Sequence, residues 1–175
     1  MNTYTMLNGL LQIAPKQEIR YYLNGVLLTS DYLAATNGNY LVKVDNKTGG
    51  VLNNIIIDRF DLAIKLKLFT KKNPPILQVK TINGEQIPCL DNYELKIVDG
   101  NFPDINRVIF DATQKSYTAP LEIGLDLKLL AVLSKAIDVI SDHKISAAKF
   151  TFSDCASSVK IEKTNITGVL MPCRL

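Results

Sequence analysis

Metal-ligating side chains are scarce in this sequence. It contains one histidine, His143, and three cysteines, Cys89, Cys155 and Cys173, none of them in a Cys-x-x-Cys pair. Zinc sites and disulphide frameworks use closely grouped ligands, and such groups are missing here. We therefore expect no metal or other cofactor, and the three scattered thiols favour a reducing, cytoplasmic compartment.

Long apolar runs are also missing. The most apolar stretch, Leu125–Ile140, is interrupted by the charged residues Asp126, Lys128, Lys135 and Asp138. A membrane-spanning helix needs about 20 predominantly apolar residues, and the N-terminus lacks the basic region and the small-residue cleavage site of a secretory signal. The sequence predicts a soluble protein with no membrane partner.

A strong charge of one sign is the third absence. The net charge is +3, with 20 basic and 17 acidic residues in 175. This mild excess neither requires nor excludes a polyanionic partner, because a DNA-wrapping protein is usually more basic. Hydrophobic residues make up 47% of the chain, which is enough to build a core for one large domain or a domain with an extra module.

Catalytic constellations are absent as well. His143 has no recognisable nucleophile as a partner, and we interpret it as a solvent-facing residue near a helix end. Asp58 and Asp61 are interpreted as capping or solvated residues. The Asn-Gly and Asp-Gly pairs predict hairpin turns, and none belongs to a Gly-x-x-x-x-Gly-Lys phosphate loop. The sequence therefore favours a non-catalytic protein.

What the sequence does contain is a repeated pattern, clearest in its centre. Asp58 predicts the N-cap of a helix that runs to about Thr70, and Asn73-Pro74-Pro75 ends it. Asn83-Gly84 predicts a tight hairpin. The strands predicted for this copy are Asn54–Ile57, Ile76–Ile82, Glu85–Leu90 and Tyr93–Val98.

Two further copies flank the central one. In the C-terminal copy, Asp126 predicts the cap of a helix to about Ser141, with strands at Leu121–Ile123, Ala148–Ser153, Ser157–Glu162 and Thr167–Cys173. In the N-terminal copy, a helix is predicted over Thr5–Ile13, with strands at Ile19–Leu28, Tyr32–Thr36 and Tyr40–Val44. Each unit is a helix with three strands, and at least two units have a short strand before the helix.

Two segments do not follow the repeat. Asn24-Gly25 alone predicts a hairpin tip, but the strand count requires it to lie inside a strand, as a bulge. Phe110–Ala119 is polar without an apolar period and predicts a linker. We therefore divide the chain into a two-unit domain, 1–109 (units 1–50 and 51–109), a linker, 110–119, and a third unit, 120–175, of α+β class with helices packed on antiparallel sheet.

Five stretches, in order, resemble one family, the beta subunit of bacterial DNA polymerase III, which is the DNA sliding clamp. Arg20–Leu27 is similar to the start of its middle domain, and Ala35–Leu41 is similar to the family's Ala-Thr-Asp-Gly-His-Arg-Leu. Val98–Asp104 resembles the end of that domain. Ser157–Val159 and Val169–Leu175 resemble the last strands, where the family ends in Met-Pro-Met-Arg-Leu.

The resemblance implies the DNA clamp (processivity) fold, with three repeated β-α-β-β-β half-domain units, antiparallel sheets outside and helices inside a ring. The chain matches the middle domain and the second half of the last domain. Two positions depart from the pattern, because Asn39-Tyr40 stands where the family has His-Arg, and Cys173 stands where it has Met.

The resemblance also implies a hydrophobic pocket for short linear peptides of polymerases and clamp loaders. Leu41, Val108, Val169 and Met171, taken singly, are better explained as core residues, but as a group they come from three separate segments that the family brings together. By matching position, the pocket residues are Arg20, Leu23, Thr36, Gly38, Asn39, Tyr40, Leu41, Pro103, Arg107, Val108, Ser158, Val169, Leu170, Met171, Pro172, Cys173, Arg174 and Leu175.

A second implied function is sequence-independent contact with double-stranded DNA by lysines on the helices. For each lysine alone, a solvated helix surface is as good an interpretation. The candidates are Lys65, Lys67, Lys71, Lys72, Lys128 and Lys135.

Rings of this fold contain twelve half-domain units, so three units per chain imply a homo-oligomer, with a head-to-tail tetramer preferred. The resulting hypothesis is a processivity factor that encircles duplex DNA and tethers polymerase and other replication or repair proteins. The alternative is a clamp-like interaction protein that does not encircle DNA and instead binds or sequesters the proteins that carry clamp-binding motifs.

Overall fold

The computed structural model of the protein describes residues 2–46, 51, 53–114, 122–143, 146–153 and 156–173. The helices are α1 (Thr3–Ile13), α2 (Arg59–Leu66), α3 (Ile105–Gln114) and α4 (Leu127–Ser141), and a 3-10 turn spans Tyr21–Leu23. The strands are β1 (Gly25–Leu28), β2 (Tyr32–Thr36), β3 (Tyr40–Asp45), β4 (Ile55–Asp58), β5 (Leu77–Ile82), β6 (Glu85–Leu90), β7 (Tyr93–Glu94), β8 (Lys149–Thr151), β9 (Val159–Lys163) and β10 (Ile166–Leu170).

The helices of the three repeated units begin in the same way. The Asn2 side chain accepts hydrogen bonds from the backbone N–H groups of the first turn of α1. The Asp58 carboxylate accepts one from the Asp61 N–H at 2.7 Å, and the Asp126 carboxylate accepts one from the Lys128 N–H at 2.7 Å. Side-chain oxygens at the N-cap position, the residue just before the first turn, satisfy backbone N–H groups that lack a partner within the helix. The N-caps predicted at Asp58 and Asp126 are confirmed.

All strand pairs are antiparallel. A seven-stranded sheet has the order β4-β1-β2-β3-β10-β9-β8, and a three-stranded sheet has the order β5-β6-β7. The first and third units meet where Tyr40–Val44 of β3 lies opposite Ile166–Leu170 of β10. A single bridge between Ile57 and Ile97 links the two sheets. The last strand of the first unit therefore pairs with the last strand of the third unit.

The large sheet is covered on both faces. Alternate strand residues such as Val42 and Ile161 pack with Leu10, Leu62 and Ile137, which come from α1, α2 and α4. The residues between them point to the other face, as the period of a strand requires. There Leu27, Leu41, Ile56 and Val169 pack with Ile105 at the start of α3. The repeated units place their helices on one face and leave the second face to α3.

The helices α1 and α4 are in close contact. A Cβ atom added to Gly9 of α1 would lie 2.3 Å from a side-chain carbon of Ile140 and 2.9 Å from the carbonyl oxygen of Ala136. These distances are shorter than van der Waals contact. Glycine at position 9 is therefore what allows the two helices to approach each other, above the β3–β10 pair.

The Asn24-Gly25 pair is neither a hairpin tip nor a bulge. The Asn24 side chain donates to the Glu18 carbonyl at 3.0 Å and accepts from the Glu18 N–H at 2.9 Å, which fixes the loop before β1. Gly25 begins β1 because β4 passes close by, and a Cβ there would lie 2.6 Å from the Ile57 carbonyl oxygen. The expected strand over Ile19–Leu28 is wrong before Gly25, since the 3-10 turn occupies Tyr21–Leu23.

Other sequence expectations differ from the structure at the ends of elements. The helix predicted to reach Thr70 ends at Leu66. The chain continues in tighter turns, in which the Phe69 N–H donates a hydrogen bond to the Leu66 carbonyl at 3.1 Å. The strand predicted over Tyr93–Val98 is regular only at Tyr93–Glu94, because the chain then leaves β6 to contact β4. Residues 122–123 are not in a strand, and Leu121 lies outside the described residues.

The segment predicted as a linker is partly helical. Helix α3 continues through Gln114 and so includes the first half of Phe110–Ala119, whereas residues 115–119 lie outside the described residues. Sequence alone missed the helix because its apolar residues Ile105, Val108 and Ile109 precede the polar half. The division of the chain into domains stays a prediction.

Candidate functional site

A cavity of about 290 Å³ opens where the first and third units meet. Its floor lies on the face of the large sheet that α3 covers, where Leu41 of β3 is directly opposite Val169 of β10. Ile105 and Val108 of α3 supply one wall, and Met171, which is 44% exposed, supplies another. Three segments that are distant in sequence therefore form one apolar pocket, the usual chemistry of a ligand site.

Most of the residues expected at a peptide pocket line this cavity. They are Arg20, Leu23, Thr36, Gly38, Asn39, Tyr40, Leu41, Pro103, Val108, Val169 and Met171. Sequence reasoning missed Ile105, which also lines it. Ile105 and Val108 are three residues apart, a spacing typical of one face of a helix, and this spacing could have identified Ile105 from the sequence.

The other expected pocket residues that the structure describes do not line the cavity. Leu170 is fully buried and packs on the opposite face of the sheet with the helices, and Ser158 is also buried. Arg107 is exposed on α3. Pro172 and Cys173 are half-buried beyond Met171, and the Cys173 N–H donates to the Gly124 carbonyl at 2.9 Å. Arg174 and Leu175 lie outside the described residues.

Arg20 forms the polar end of the pocket. Its guanidinium pairs with the Glu18 carboxylate at 3.1 Å and donates to the Asn37 carbonyl at 3.4 Å, while half of its side chain stays exposed. Gly38 has a φ of 92°, and a Cβ there would lie 2.6 Å from a guanidinium nitrogen. The glycine provides the left-handed turn and also leaves space for the arginine.

The loop beside Arg20 is fixed by its own side chains. The Thr36 hydroxyl donates to the Tyr40 carbonyl at 2.8 Å and accepts from the Gly38 N–H at 3.0 Å. The Asn37 side chain accepts from the Asn39 N–H at 2.9 Å. These bonds hold the β2–β3 turn in one shape, so the rim of the pocket is preformed. Burial raises the pKa of the half-buried Tyr40, which keeps its hydroxyl protonated at neutral pH.

The second rim of the pocket is tied to the first. The Met171 N–H donates to the Asn39 carbonyl at 2.9 Å, extending the β3–β10 pairing by one bond. Met171 therefore stands on a fixed backbone, while its flexible thioether side chain can fit differently shaped ligands. The arrangement suits an extended peptide whose apolar side chains enter the cavity and whose polar end contacts Arg20.

Comparisons with known proteins give similar sequences but no matching family model. The chain is 28% identical over 163 residues to the beta sliding clamp of Vibrio cholerae, which covers 87% of this chain and 43% of the relative. The match to the beta sliding clamp of Escherichia coli K12 is 28% over 156 residues, which covers 85% and 40%.

Solved structures give the same result for the fold. The DNA polymerase III subunit beta sliding clamp of Bartonella birtlesii, solved with griselimycin bound, superimposes with a TM-score of 0.68 at 18% identity. It covers 98% of this chain and 64% of that one. A DNA polymerase sliding clamp of Caulobacter crescentus gives a TM-score of 0.66 at 19% identity, covering 100% and 65%.

The chain is similar to the bacterial beta sliding clamp. It has the α+β DNA clamp fold, with antiparallel sheets and a layer of helices. It spans less than half of the length of the sequence relatives named above.

The lysines expected to face DNA fall into two groups in the structure. Lys65 pairs with Asp61 at 2.7 Å and also donates to the Glu94 carbonyl, and Lys71 pairs with Asp142. These two are therefore engaged within the protein. The remaining candidates are exposed, with Lys67 and Lys72 at or after the end of α2 and Lys128 and Lys135 on α4.

His143 is exposed just after α4. Within the described residues no group of three or more metal-ligating side chains occurs. No helix among them is long and apolar enough to cross a membrane.

Proposed function

We propose that the protein is a DNA sliding clamp, a non-catalytic processivity factor that tethers replication or repair proteins through the pocket between its first and third units. The observation that carries this proposal is the joining of Leu41, Val169 and Val108 into one apolar cavity with Arg20 at its polar end. The ligand class is a short linear peptide, such as those by which polymerases and clamp loaders bind clamps.

The pocket is suited to peptide binding because it is apolar, preformed and open at one side. A peptide with two neighbouring large apolar side chains buries them against Leu41, Val169 and Met171, and apolar burial contributes about 25 cal/mol per Å². The Arg20 guanidinium, half exposed beside Glu18, can donate to a carbonyl or carboxylate of the same peptide.

The proposal extends to double-stranded DNA. Helices α1, α2 and α4 lie on the face of the sheet opposite the pocket, so a peptide-bound partner and a duplex would contact different sides of the protein. Lys128 and Lys135 share the exposed side of α4, and Lys67 and Lys72 add charge near α2. Lysine contacts with phosphates carry no sequence information and weaken with salt, which suits sliding.

Encircling DNA requires several copies, and a tetramer of three-unit chains is the preferred ring. The alternative function, a clamp-like protein that binds partner motifs without encircling DNA, is favoured by one observation. The residues that line the cavity all come from one chain, so peptide binding would not depend on ring closure.

The pocket is tested by titrating the protein with a labelled peptide that carries a clamp-binding motif. We expect saturable binding that is weakened when Arg20 is replaced by Ala or when residues Cys173–Leu175 are removed. Unchanged affinity in both variants would remove the pocket from the proposal. A scrambled peptide of the same composition is the control.

Encirclement is tested with DNA topology. The protein is loaded onto a circular plasmid, the plasmid is cut once, and the fraction of protein retained is measured before and after cutting. A ring slides off the free ends, so retention should fall after cutting. Equal retention on circular and linear DNA would favour the non-encircling alternative.

A further inference from the structure

The polar end of the pocket carries a charge that the protein itself balances. Of the described residues that line the cavity, Arg20 is the only one with a charged side chain. Its guanidinium pairs with the Glu18 carboxylate at 3.1 Å, although Glu18 is not among the lining residues. A ligand that enters the cavity therefore meets a cation that is already paired with an anion of the protein.

Glu18 is held in place by the residue that precedes strand β1. The Asn24 side chain accepts a hydrogen bond from the Glu18 N–H at 2.9 Å and donates one to the Glu18 carbonyl at 3.0 Å. Both backbone groups of Glu18 are fixed in this way, and its side chain is partly buried. The negative charge beside Arg20 therefore has a defined position in the loop between α1 and β1.

The same loop sets the direction of the Arg20 side chain. Its Nε–H donates to the Glu18 carboxylate, and an Nη–H donates to the Asn37 carbonyl at 3.4 Å. Gly38 leaves the space for this approach, because a Cβ atom there would lie 2.6 Å from a guanidinium nitrogen. A guanidinium carries more N–H donors than these two, and half of the side chain is exposed. Donors therefore remain for a ligand in the cavity.

We propose that Glu18 determines the charge preference of the pocket. Because of Glu18, Arg20 selects a peptide that presents a neutral carbonyl, such as a side-chain carboxamide, over one that presents a carboxylate. A neutral oxygen accepts from the remaining N–H groups of Arg20 without repulsion. A carboxylate on the same small guanidinium would lie within about 6 Å of the Glu18 carboxylate, a range in which like charges disfavour each other.

This inference rests on the proposed peptide-binding function and adds the chemistry that the polar end selects. Glu18 acts on the ligand through Arg20, both as a charge and as a positioning residue. Exposed ion pairs contribute little to stability, so substitutions of Glu18 should leave the fold intact. Glu18→Gln removes the charge and keeps an oxygen that accepts from the Arg20 Nε–H, whereas Glu18→Ala removes both. The two substitutions therefore separate the effect of charge from the effect of position.

Fluorescence anisotropy with matched labelled peptides tests the charge preference. The peptides share one pair of large apolar residues and differ only in a neighbouring Gln or Glu, placed on each side of the pair in turn. We expect the unaltered chain to bind a Gln peptide about tenfold more tightly than its Glu counterpart, and the difference to shrink in high salt. Glu18→Gln should abolish or reverse this preference, and Glu18→Ala should also weaken binding of the Gln peptide.

The matched control is Glu85→Gln, the same substitution at an exposed position of β6 that does not line the cavity. It should keep the preference, and an equal loss there would overturn the assignment to Glu18. Equal binding of the Gln and Glu peptides by the unaltered chain, or a preference unchanged in Glu18→Gln, overturns the inference and leaves the pocket function standing. Failure of every peptide to bind the unaltered chain overturns the proposed pocket function and this inference with it.

Discussion

The α1–α4 junction and the exposed side of α2, here called the α2 flank (Phe60, Ile64 and Leu68), are built from the same repeated unit, but they differ in what surrounds them. At the junction, Ile140 is fully buried and Gly9 permits close contact. On the flank, Ile64 is 65% exposed, and Lys65 and Asp61 are turned to the edge of β7. The same kind of unit can therefore bury its helix or leave one side of it exposed, and the pocket lies where two such units meet.

The largest expected effect is on stability. Ile140→Ala should lower the free energy of unfolding by about 3 kcal/mol, because it leaves a cavity between α4 and α1. Ile64→Ala, also an isoleucine on a unit helix, should change it by less than about 0.5 kcal/mol. Urea denaturation, run at a protein concentration low enough to prevent association, measures both values. Equal losses at the two positions would contradict the difference between the two surfaces.

The close approach of α1 and α4 is the second point to test. Gly9→Ala should lower the free energy of unfolding by about 2 kcal/mol, because the added carbon overlaps Ile140 and the Ala136 carbonyl. The gain in helix propensity of about 1 kcal/mol is not enough to offset this overlap. Gly84→Ala is the control, since its surroundings are open and only its positive φ causes strain, about 1 kcal/mol. A stabilised Gly9→Ala variant would show that the helices can separate at little cost.

A smaller effect is expected in the pocket. Met171→Ala removes an apolar wall and should weaken peptide binding about tenfold, or about 1.4 kcal/mol. Ile97→Ala is the matched control, because Ile97 is exposed to a similar extent, 49% against 44%, and lies outside the pocket. Fluorescence anisotropy with a labelled peptide gives both constants. Equal weakening by the two substitutions would place the binding surface elsewhere.

The smallest effect concerns pH. The hydrogen bond from Lys163, 2.7 Å long, lowers the pKa of Asp138, although partial burial opposes the shift. A carboxyl whose pKa is lower in the folded state stabilises the fold above its unfolded pKa of about 3.9. This contribution is lost as the pH falls through the lower, folded value. Melting temperatures can be measured between about pH 6 and about pH 3, the range in which Asp titrates. The melting temperature of Asp138→Asn should fall less steeply with decreasing pH than that of the unaltered chain.

In the second unit, Asp61 provides a comparison with Asp138. Burial alone would raise the pKa of Asp61, but the hydrogen bonds from the Lys65 side chain and the Lys96 N–H outweigh it and lower the pKa. Asp61→Asn should therefore flatten the acid slope as well. A slope unchanged in both variants would mean that neither carboxyl contributes to acid stability.

Much of the fold could be predicted from local sequence. Asp58 and Asp126 identify helix starts because short polar side chains cap N–H groups. Asn83-Gly84 identifies a hairpin because both residues adopt positive φ, 53° and 84°. Asn24-Gly25 is the same dipeptide, but its glycine is needed for a different reason, because a Cβ atom at Gly25 would overlap the backbone of strand β4. Local propensity cannot distinguish these two cases.

The candidate site was predictable only in part. Resemblance to the clamp family placed Leu41, Val108 and Val169 in one pocket, and the structure brings them together. It also assigned Leu170 and Ser158, which strand alternation and burial place away from the cavity. Ile105 was missed because helix α3 begins among residues that sequence alone assigned to the end of a domain and a linker.

The amino-acid sequence was enough to predict the helices of the repeat, the caps at Asp58 and Asp126 and the Asn83-Gly84 hairpin, because these features depend on neighbours a few residues apart. Three features became known only from the tertiary structure. The last strands of the first and third units pair, α3 covers the face of the large sheet opposite α1 and α4, and one side of α2 is exposed. Those outcomes depend on which surfaces meet across more than a hundred residues of chain. No local pattern carries that information.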